Sequence, residues 1–119
     1  MIQNFTDLIV WQQAHKLVLF VYDLVKKFPT EERYGLSDQL RRSAVSVTSN
    51  IAEGFARRTN DEKIHFYFIS RGSLAELQSQ LLIARDLGYI SSQDYNNAEN
   101  LIINSSKLLV GFTRSVTNR

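Results

Sequence analysis

Apolar residues recur every three or four positions along most of this 119-residue chain, which is the spacing of α-helices that each bury one face. The pattern predicts four helices joined by short connections, over residues 7–27, 36–58, 59–87 and 91–116. We expect Thr6 to cap the first helix, Thr59 to cap the third, and Gly88 to end the third in a left-handed conformation. Long helices and short loops predict an all-α fold in a single domain, residues 1–119, arranged as an up-down-up-down four-helix bundle.

The first helix carries more apolar surface than a bundle core needs. One stripe, with Leu17 and Leu24 near its centre, provides the core face. A second stripe lies about 120° further round the helix and contains Trp11, His15, Val18 and Tyr22. If this stripe stayed in water, the protein would lose about 1.5–3 kcal/mol of stabilisation from burial for each large side chain. Either this wide face packs between two neighbouring helices or it forms a subunit interface. We favour the interface and predict a homo-oligomer.

Helices two and three each carry a further stripe of small and polar residues. In helix two these are Gln39, Ser43, Ser46, Asn50, Glu53 and Arg57, and in helix three Gly72, Ser73, Glu76, Ser79 and Gln80. Because both stripes lie beside apolar ones, we expect a partly buried polar network. We assign structural roles in it to Asn50, Glu53, Arg71 and Glu76. If the network is buried, Glu76→Gln costs about 3–5 kcal/mol. Gly54 and Gly72 are expected where helices approach closely.

Composition narrows the class of protein. The chain has no Cys, which excludes disulfides, thiolate metal sites and cysteine nucleophiles. Its longest apolar run, residues 17–22, is far too short to span a membrane, and the N-terminal residues show no signal-peptide pattern. We therefore predict a cytoplasmic protein with no membrane partner. The net charge of +2 argues only weakly for a nucleic-acid partner, but the argument strengthens if several subunits assemble.

The patterns that could carry catalysis or bind a metal have simpler structural explanations. Glu62 and His65 have the spacing found in carboxylate-bridged di-metal bundles, but such sites need two such pairs and the chain has one. Glu53 and Glu76 could be paired catalytic carboxylates, yet ion pairs or hydrogen bonds inside the bundle explain them more simply. We predict no catalytic residue, no metal and no cofactor.

Four basic residues are predicted to meet at the end of the bundle that carries the turn between helices two and three. Arg57, Arg58 and Lys63 flank this turn, and the topology brings Arg114 to it. Asp61 and other acidic residues lie at the same end and weaken the positive electrostatic field of these four residues. Both a solvated surface and a phosphate-binding surface fit this pattern. No aromatic-plus-basic motif of the RNA-recognition type is present, so nucleic-acid binding is expected to be backbone-directed and salt-sensitive.

Several segments resemble a known family of four-helix-bundle proteins, named after the protein encoded in intervening sequences of 23S ribosomal RNA. The resemblance rests on residues 39–46 (QLRRSAVS), 49–55 (SNIAEGF) and 71–77 (RGSLAEL). Residues 7–14 (DLIVWQQA) and 84–89 (ARDLGY) fit the same pattern. Together these segments spread the resemblance over residues 7–89.

The resemblance implies a left-handed bundle that assembles as a homopentamer around a central channel. A similar protein, the accessory variability protein of diversity-generating retroelements, is a basic pentamer that contacts nucleic acid and a reverse transcriptase. No enzymatic activity is attached to the family. Five copies of this chain would carry a formal charge of +10, five times +2.

The sequence supports two functional hypotheses. The first is a non-enzymatic homo-oligomeric scaffold, pentameric by resemblance, that binds RNA or DNA through phosphate contacts of Arg57, Arg58, Lys63 and Arg114. The alternative is a protein–protein interaction assembly that recruits a partner protein encoded nearby and binds no nucleic acid.

Overall fold

The computed structural model describes residues 1–118, which form helices and connections without a strand. Its four long helices are α1 (Ile9–Val25), α2 (Leu36–Phe55), α3 (Asn60–Asp86) and α4 (Ser92–Thr117). Two 3₁₀ turns, Phe5–Asp7 and Thr30–Glu32, precede α1 and α2. The all-α fold and the four helices are therefore confirmed, although α2 ends at Phe55 rather than at residue 58. The handedness of the bundle stays a prediction.

The four helices pack side by side along the long axis of a body that measures 46 × 25 × 21 Å. α1 packs against α2 and α4, α3 packs against the same two helices, and the α2–α3 pair is the most extensive. The Ser43 hydroxyl of α2 reaches Glu76 of α3, whereas the Val47 carbonyl, one turn further along α2, is reached by Ser70. Residue numbers thus rise on one helix as they fall on the other, so α2 and α3 are antiparallel.

One hydrophobic core runs through the bundle and receives side chains from all four helices. Leu17 of α1, Ile51 of α2, Leu77 of α3 and Leu109 of α4 are fully buried. Removing each such side chain from water stabilises the fold by about 1.5–3 kcal/mol. The same core contains the first apolar stripe of helix one, including Leu24, so the core face of α1 is where its sequence pattern predicts it.

A side-chain cap fixes the start of α3, and a glycine in the left-handed conformation follows its end. The Thr59 hydroxyl accepts a hydrogen bond from the Glu62 backbone N–H at 3.2 Å, which satisfies one of the unpaired donors at the helix N-terminus. At the other end Gly88 has a φ of +80°, a conformation that favours glycine. Both features agree with the prediction from the sequence.

The start of α1 differs from the prediction. Thr6 does not cap this helix, because the chain first makes the 3₁₀ turn Phe5–Asp7, and Asn4 caps that turn instead. The residue before α1 is Leu8, which offers no side-chain cap. Leu8 is itself buried, so packing rather than a polar cap holds this helix start.

Gly54 lies directly against α3. A Cβ atom at this position would stand 2.6 Å from Cε1 of Tyr67 and 3.1 Å from Cβ of Phe66. The close approach of α2 and α3 predicted at Gly54 is therefore confirmed. The same prediction is wrong for Gly72 within the subunit, because this glycine is exposed and a Cβ there would meet no atom within 4 Å.

Two tyrosines near the start of α4 donate hydrogen bonds to glutamate carboxylates. The Tyr89 hydroxyl donates to Glu32 Oε2 at 2.8 Å, and the Tyr95 hydroxyl donates to Glu99 Oε2 at 2.8 Å. The hydrogen bond to Glu32, followed by burial, raises the pKa of Tyr89. For Tyr95 burial comes first and the bond to Glu99 second in raising the pKa. Both hydroxyls therefore stay protonated at neutral pH and donate these bonds.

Candidate interaction surfaces

An aromatic and apolar stripe runs along the outward face of α1. Leu19 is 58% exposed and Tyr22 41% exposed, while the half-buried Trp11 ring stacks on the exposed His15 with 4.7 Å between centroids. Val18, which the sequence pattern placed in this stripe, is only 9% exposed and belongs to the core. The next residue, Leu19, lies on the outward face instead. We call the four residues Trp11, His15, Leu19 and Tyr22 the α1 stripe.

Hydrogen bonds join the polar stripes of α2 and α3. The hydroxyls of Ser46 and Ser73 lie 2.8 Å apart, and the Asn50 amide donates to the Ser46 carbonyl at 2.7 Å. Nearer the start of α2, the buried Ser43 hydroxyl donates to Glu76 Oε1 at 2.7 Å. The small side chains thus form a half-buried polar seam between two antiparallel helices.

Two of the residues assigned to this network lie apart from the seam. Glu53 is exposed and pairs with Arg57 on its own helix at 3.6 Å. Arg71 is exposed, and its guanidinium lies 5.5 Å from the centre of the Phe68 ring. Glu76 is exposed as well, although it accepts a hydrogen bond. The Glu76 carboxylate at the seam is therefore solvated, and neutralising it should have only a small effect on stability.

We expect Glu76→Gln to change the free energy of unfolding by less than about 1 kcal/mol, because the exposed carboxylate is hydrated and the glutamine oxygen still accepts from Ser43. Urea unfolding followed by circular dichroism measures the change. Glu53→Gln, which removes one partner of an exposed ion pair, serves as the matched control. A loss of about 3 kcal/mol for Glu76→Gln alone would mean that this carboxylate is buried.

The basic residues predicted to meet do share one end of the bundle. We call it the turn end: it carries residues 56–59 and the adjoining ends of α2, α3 and α4. The Asn60 amide donates to the Val116 carbonyl at 3.4 Å, which ties the start of α3 to the end of α4. Arg58 and Arg114 are exposed there, and neither makes an ion pair within residues 1–118. These two side chains present their charges to solvent.

The other two basic residues have structural partners. Lys63 Nζ donates to the Phe55 carbonyl at 2.7 Å and to the Gly54 carbonyl at 3.4 Å, so it caps the C-terminus of α2. Arg57 pairs with Glu53, and its guanidinium lies 4.6 Å from the centre of the Phe66 ring. Their charges are partly engaged inside the subunit, which the sequence spacing could not reveal.

A groove between α3 and α4 brings together an aromatic ring and two cations. We call it the α3–α4 groove and define it by Phe68, Arg71, Gly72, Gln78, Ser106 and Lys107. Its volume is about 650 Å³. Sequence spacing could not indicate this site, because Lys107 lies on α4, far along the chain from Phe68 and Arg71. Only the pairing of the two helices, combined with the exposure of an aromatic residue on α3, could have indicated it.

The glutamate and the histidine at the start of α3 both make local contacts. The Thr59 hydroxyl donates to Glu62 Oε1 at 3.0 Å, and His65 packs edge-on against Phe66. Across residues 1–118, no group of three or more His, Asp or Glu side chains is placed to hold a metal ion. None of the helices in that range has the length and apolarity needed to cross a bilayer.

These observations define a small all-α protein, a four-helix bundle whose candidate functional residues lie on its surfaces. The sequence matches the 23S rRNA-intervening sequence protein family over residues 6–111, and the chain belongs to this family. The family resemblance inferred from the sequence motifs is therefore confirmed. The family description names no reaction.

The fold is similar to the crystal structure of a protein of unknown function from the S23 ribosomal protein family of Bacteroides thetaiotaomicron. The TM-score is 0.79 at 19% sequence identity, and the match covers 88% of this chain and 98% of that chain. At this identity the likeness supports the fold alone. No curated protein matches the chain.

Proposed function

We propose that this protein is a non-enzymatic cytoplasmic scaffold that assembles with copies of itself and binds RNA or DNA through phosphate contacts. The observation that carries the proposal is the α1 stripe, because a folded subunit leaves this apolar surface uncovered. A subunit number of five follows from the family resemblance. The assembled particle would present the same basic residues once per subunit.

Self-association is supported by the energy of the exposed surface. Leu19 and Tyr22 keep about half of their side-chain surface in water, and Trp11 and His15 extend the same face. Burying a large apolar side chain is worth up to about 1.5–3 kcal/mol. A contact that covers this face in a second copy therefore recovers free energy that the single subunit forgoes, and an exposed patch of this kind marks an interaction site.

Phosphate binding is supported by Arg58 and Arg114 at the turn end. Both guanidinium groups are exposed and lack an ion pair in residues 1–118, so they can form charge-assisted hydrogen bonds to phosphate oxygens. A ring of five subunits would carry a formal charge of +10, five times +2. Repetition around an oligomer thus turns two cations per subunit into a multivalent surface.

The test is a fluorescence anisotropy titration of labelled single-stranded RNA at about 50 mM and about 200 mM salt, where we expect the affinity to fall at least about 10-fold. The double variant Arg58→Gln/Arg114→Gln should bind more weakly and depend less on salt. Arg33→Gln, an exposed arginine before α2, is the matched control and should bind like the unmodified protein. Binding that ignores both salt and the double substitution would contradict the phosphate-contact proposal.

A second candidate function is a protein-binding assembly without nucleic acid. It is favoured by the partners of Arg57 and Lys63, which engage two of the four predicted cations inside the subunit. Asp61 and Glu62 are exposed at the same end and weaken its positive field. RNA that stays unbound at about 50 mM salt would favour this second function.

A further inference from the structure

We propose that the α3–α4 groove is a binding site for single-stranded nucleic acid, with one base stacked on Phe68 and the adjoining phosphates held by Arg71 and Lys107. This inference rests on the proposed function, because it assumes that the scaffold binds nucleic acid. It adds a separate site on the side of the bundle, away from the cations of the turn end.

The Phe68 ring provides the stacking platform. It lies in the first half of α3 and is 54% exposed, so this large aromatic side chain contributes little to the core. The Arg71 guanidinium stands 5.5 Å from the ring centre and adds a second planar, cationic surface. Exposed aromatic rings beside basic side chains are the combination that binds unpaired bases, because every base has a face that stacks.

The charges of the groove suit an anionic strand. Arg71 and Lys107 are both exposed, neither forms an ion pair within residues 1–118, and the residues that line the groove include no Asp or Glu. Phosphates that bind here would therefore meet two cations without having to displace a carboxylate. Gln78 and Ser106 supply uncharged donors and acceptors between the cations.

The groove leaves room for a base beside the Phe68 ring. Gly72 lies beside Phe68 on α3, and a Cβ atom at this glycine would meet nothing within 4 Å. The volume of about 650 Å³ falls in the range of ligand-binding clefts. A planar ligand can thus reach the ring and the guanidinium without rearranging the helices.

The groove also points toward the turn end. Arg114 follows Lys107 by seven residues on α4, which puts it on nearly the same side of the helix and about 10 Å further along the axis. A strand held in the groove can therefore continue toward the exposed arginines of the turn end. An acidic peptide could use the same cations, but it would have no need of an exposed aromatic face, so the ring favours nucleic acid.

The experiment compares labelled oligouridylate with a blunt duplex of equal length by anisotropy, using the whole chain. We expect the single strand to bind more tightly, and Phe68→Ala to weaken it about 5- to 150-fold, the range measured when a stacking aromatic is removed. Arg71→Gln and Lys107→Gln should each flatten the salt dependence by about one unit of slope. Ile83→Ala, another exposed apolar residue of α3, and Lys16→Gln on α1 are the matched controls.

The outcomes separate the groove from the proposed function. If the single strand binds and only the turn-end variants weaken it, the groove inference is overturned while the scaffold still binds nucleic acid. Equal affinity for duplex and single strand also overturns it, because stacking requires unpaired bases. If no nucleic acid binds at about 50 mM salt, the proposed function fails and this inference fails with it. Circular dichroism melting checks that each variant is folded.

Discussion

Replacing Gly54 by alanine is expected to lower the free energy of unfolding by about 1–3 kcal/mol, the usual cost of forcing extra volume into a packed interior. The added methyl group would stand 2.6 Å from Cε1 of Tyr67. Tyr67 cannot simply turn away, because its ring is fully buried and packs against Phe112 with 5.0 Å between centroids. Alanine normally stabilises a helix relative to glycine by about 1 kcal/mol. A net loss in the free energy of unfolding at this position would therefore come from the clash with Tyr67. Urea unfolding gives the value.

Gly111→Ala is the matched control for this experiment. Gly111 also lies inside a helix, but a Cβ atom there would meet nothing within 4 Å. We therefore expect alanine to stabilise the protein at this position by about 0.5–1 kcal/mol. If both variants were equally stable, the close approach of α2 and α3 at Gly54 would not be a tight constraint.

The double substitution Leu19→Glu/Tyr22→Glu is expected to dissociate the assembled protein into single subunits. It removes two side chains that we propose become buried between copies; each has about half of its surface left to bury, so together they are worth about 1.5–3 kcal/mol per contact. That energy corresponds to a dissociation constant raised about 10- to 150-fold. It also places two carboxylates where an apolar surface should form. Size-exclusion chromatography with light scattering reads the mass directly.

Tyr34→Glu controls for the loss of an exposed apolar side chain as such. Tyr34 is 85% exposed and lies in the connection between α1 and α2, away from the α1 stripe. This variant should keep the mass of the unmodified protein, and both variants should melt as folded helical proteins. If the double variant kept the mass of the unmodified protein, the α1 stripe would not be part of the subunit interface.

The helices could be predicted from the sequence because each contains a long apolar repeat, and most side chains of that repeat, such as Leu17, Leu77 and Leu109, do fill the core. Caps that rest on local hydrogen bonds, such as Thr59 before α3, were also predictable. The start of α1 was not, because the buried Leu8 sets it through packing with other helices. Sequence spacing alone contains no information on such contacts.

The surfaces were harder to predict than the core, since they depend on how far each helix turns about its own axis. On α1, for example, Leu19 rather than Val18 lies on the outside. Sequence spacing groups Lys63 with the predicted phosphate contacts, yet its side chain reaches back to the Phe55 carbonyl. Spacing gives no sign of Lys107, because its neighbour in the groove, Phe68, comes from another helix.

Light scattering of the unmodified protein at micromolar concentration measures self-association directly, because one folded subunit should leave apolar surface that another covers. We expect a particle whose mass is a multiple of the 13.7 kDa chain, and five times that value for the pentamer that the family resemblance implies. A stable particle of 13.7 kDa, with the Leu19 and Tyr22 side chains in water, would contradict this expectation.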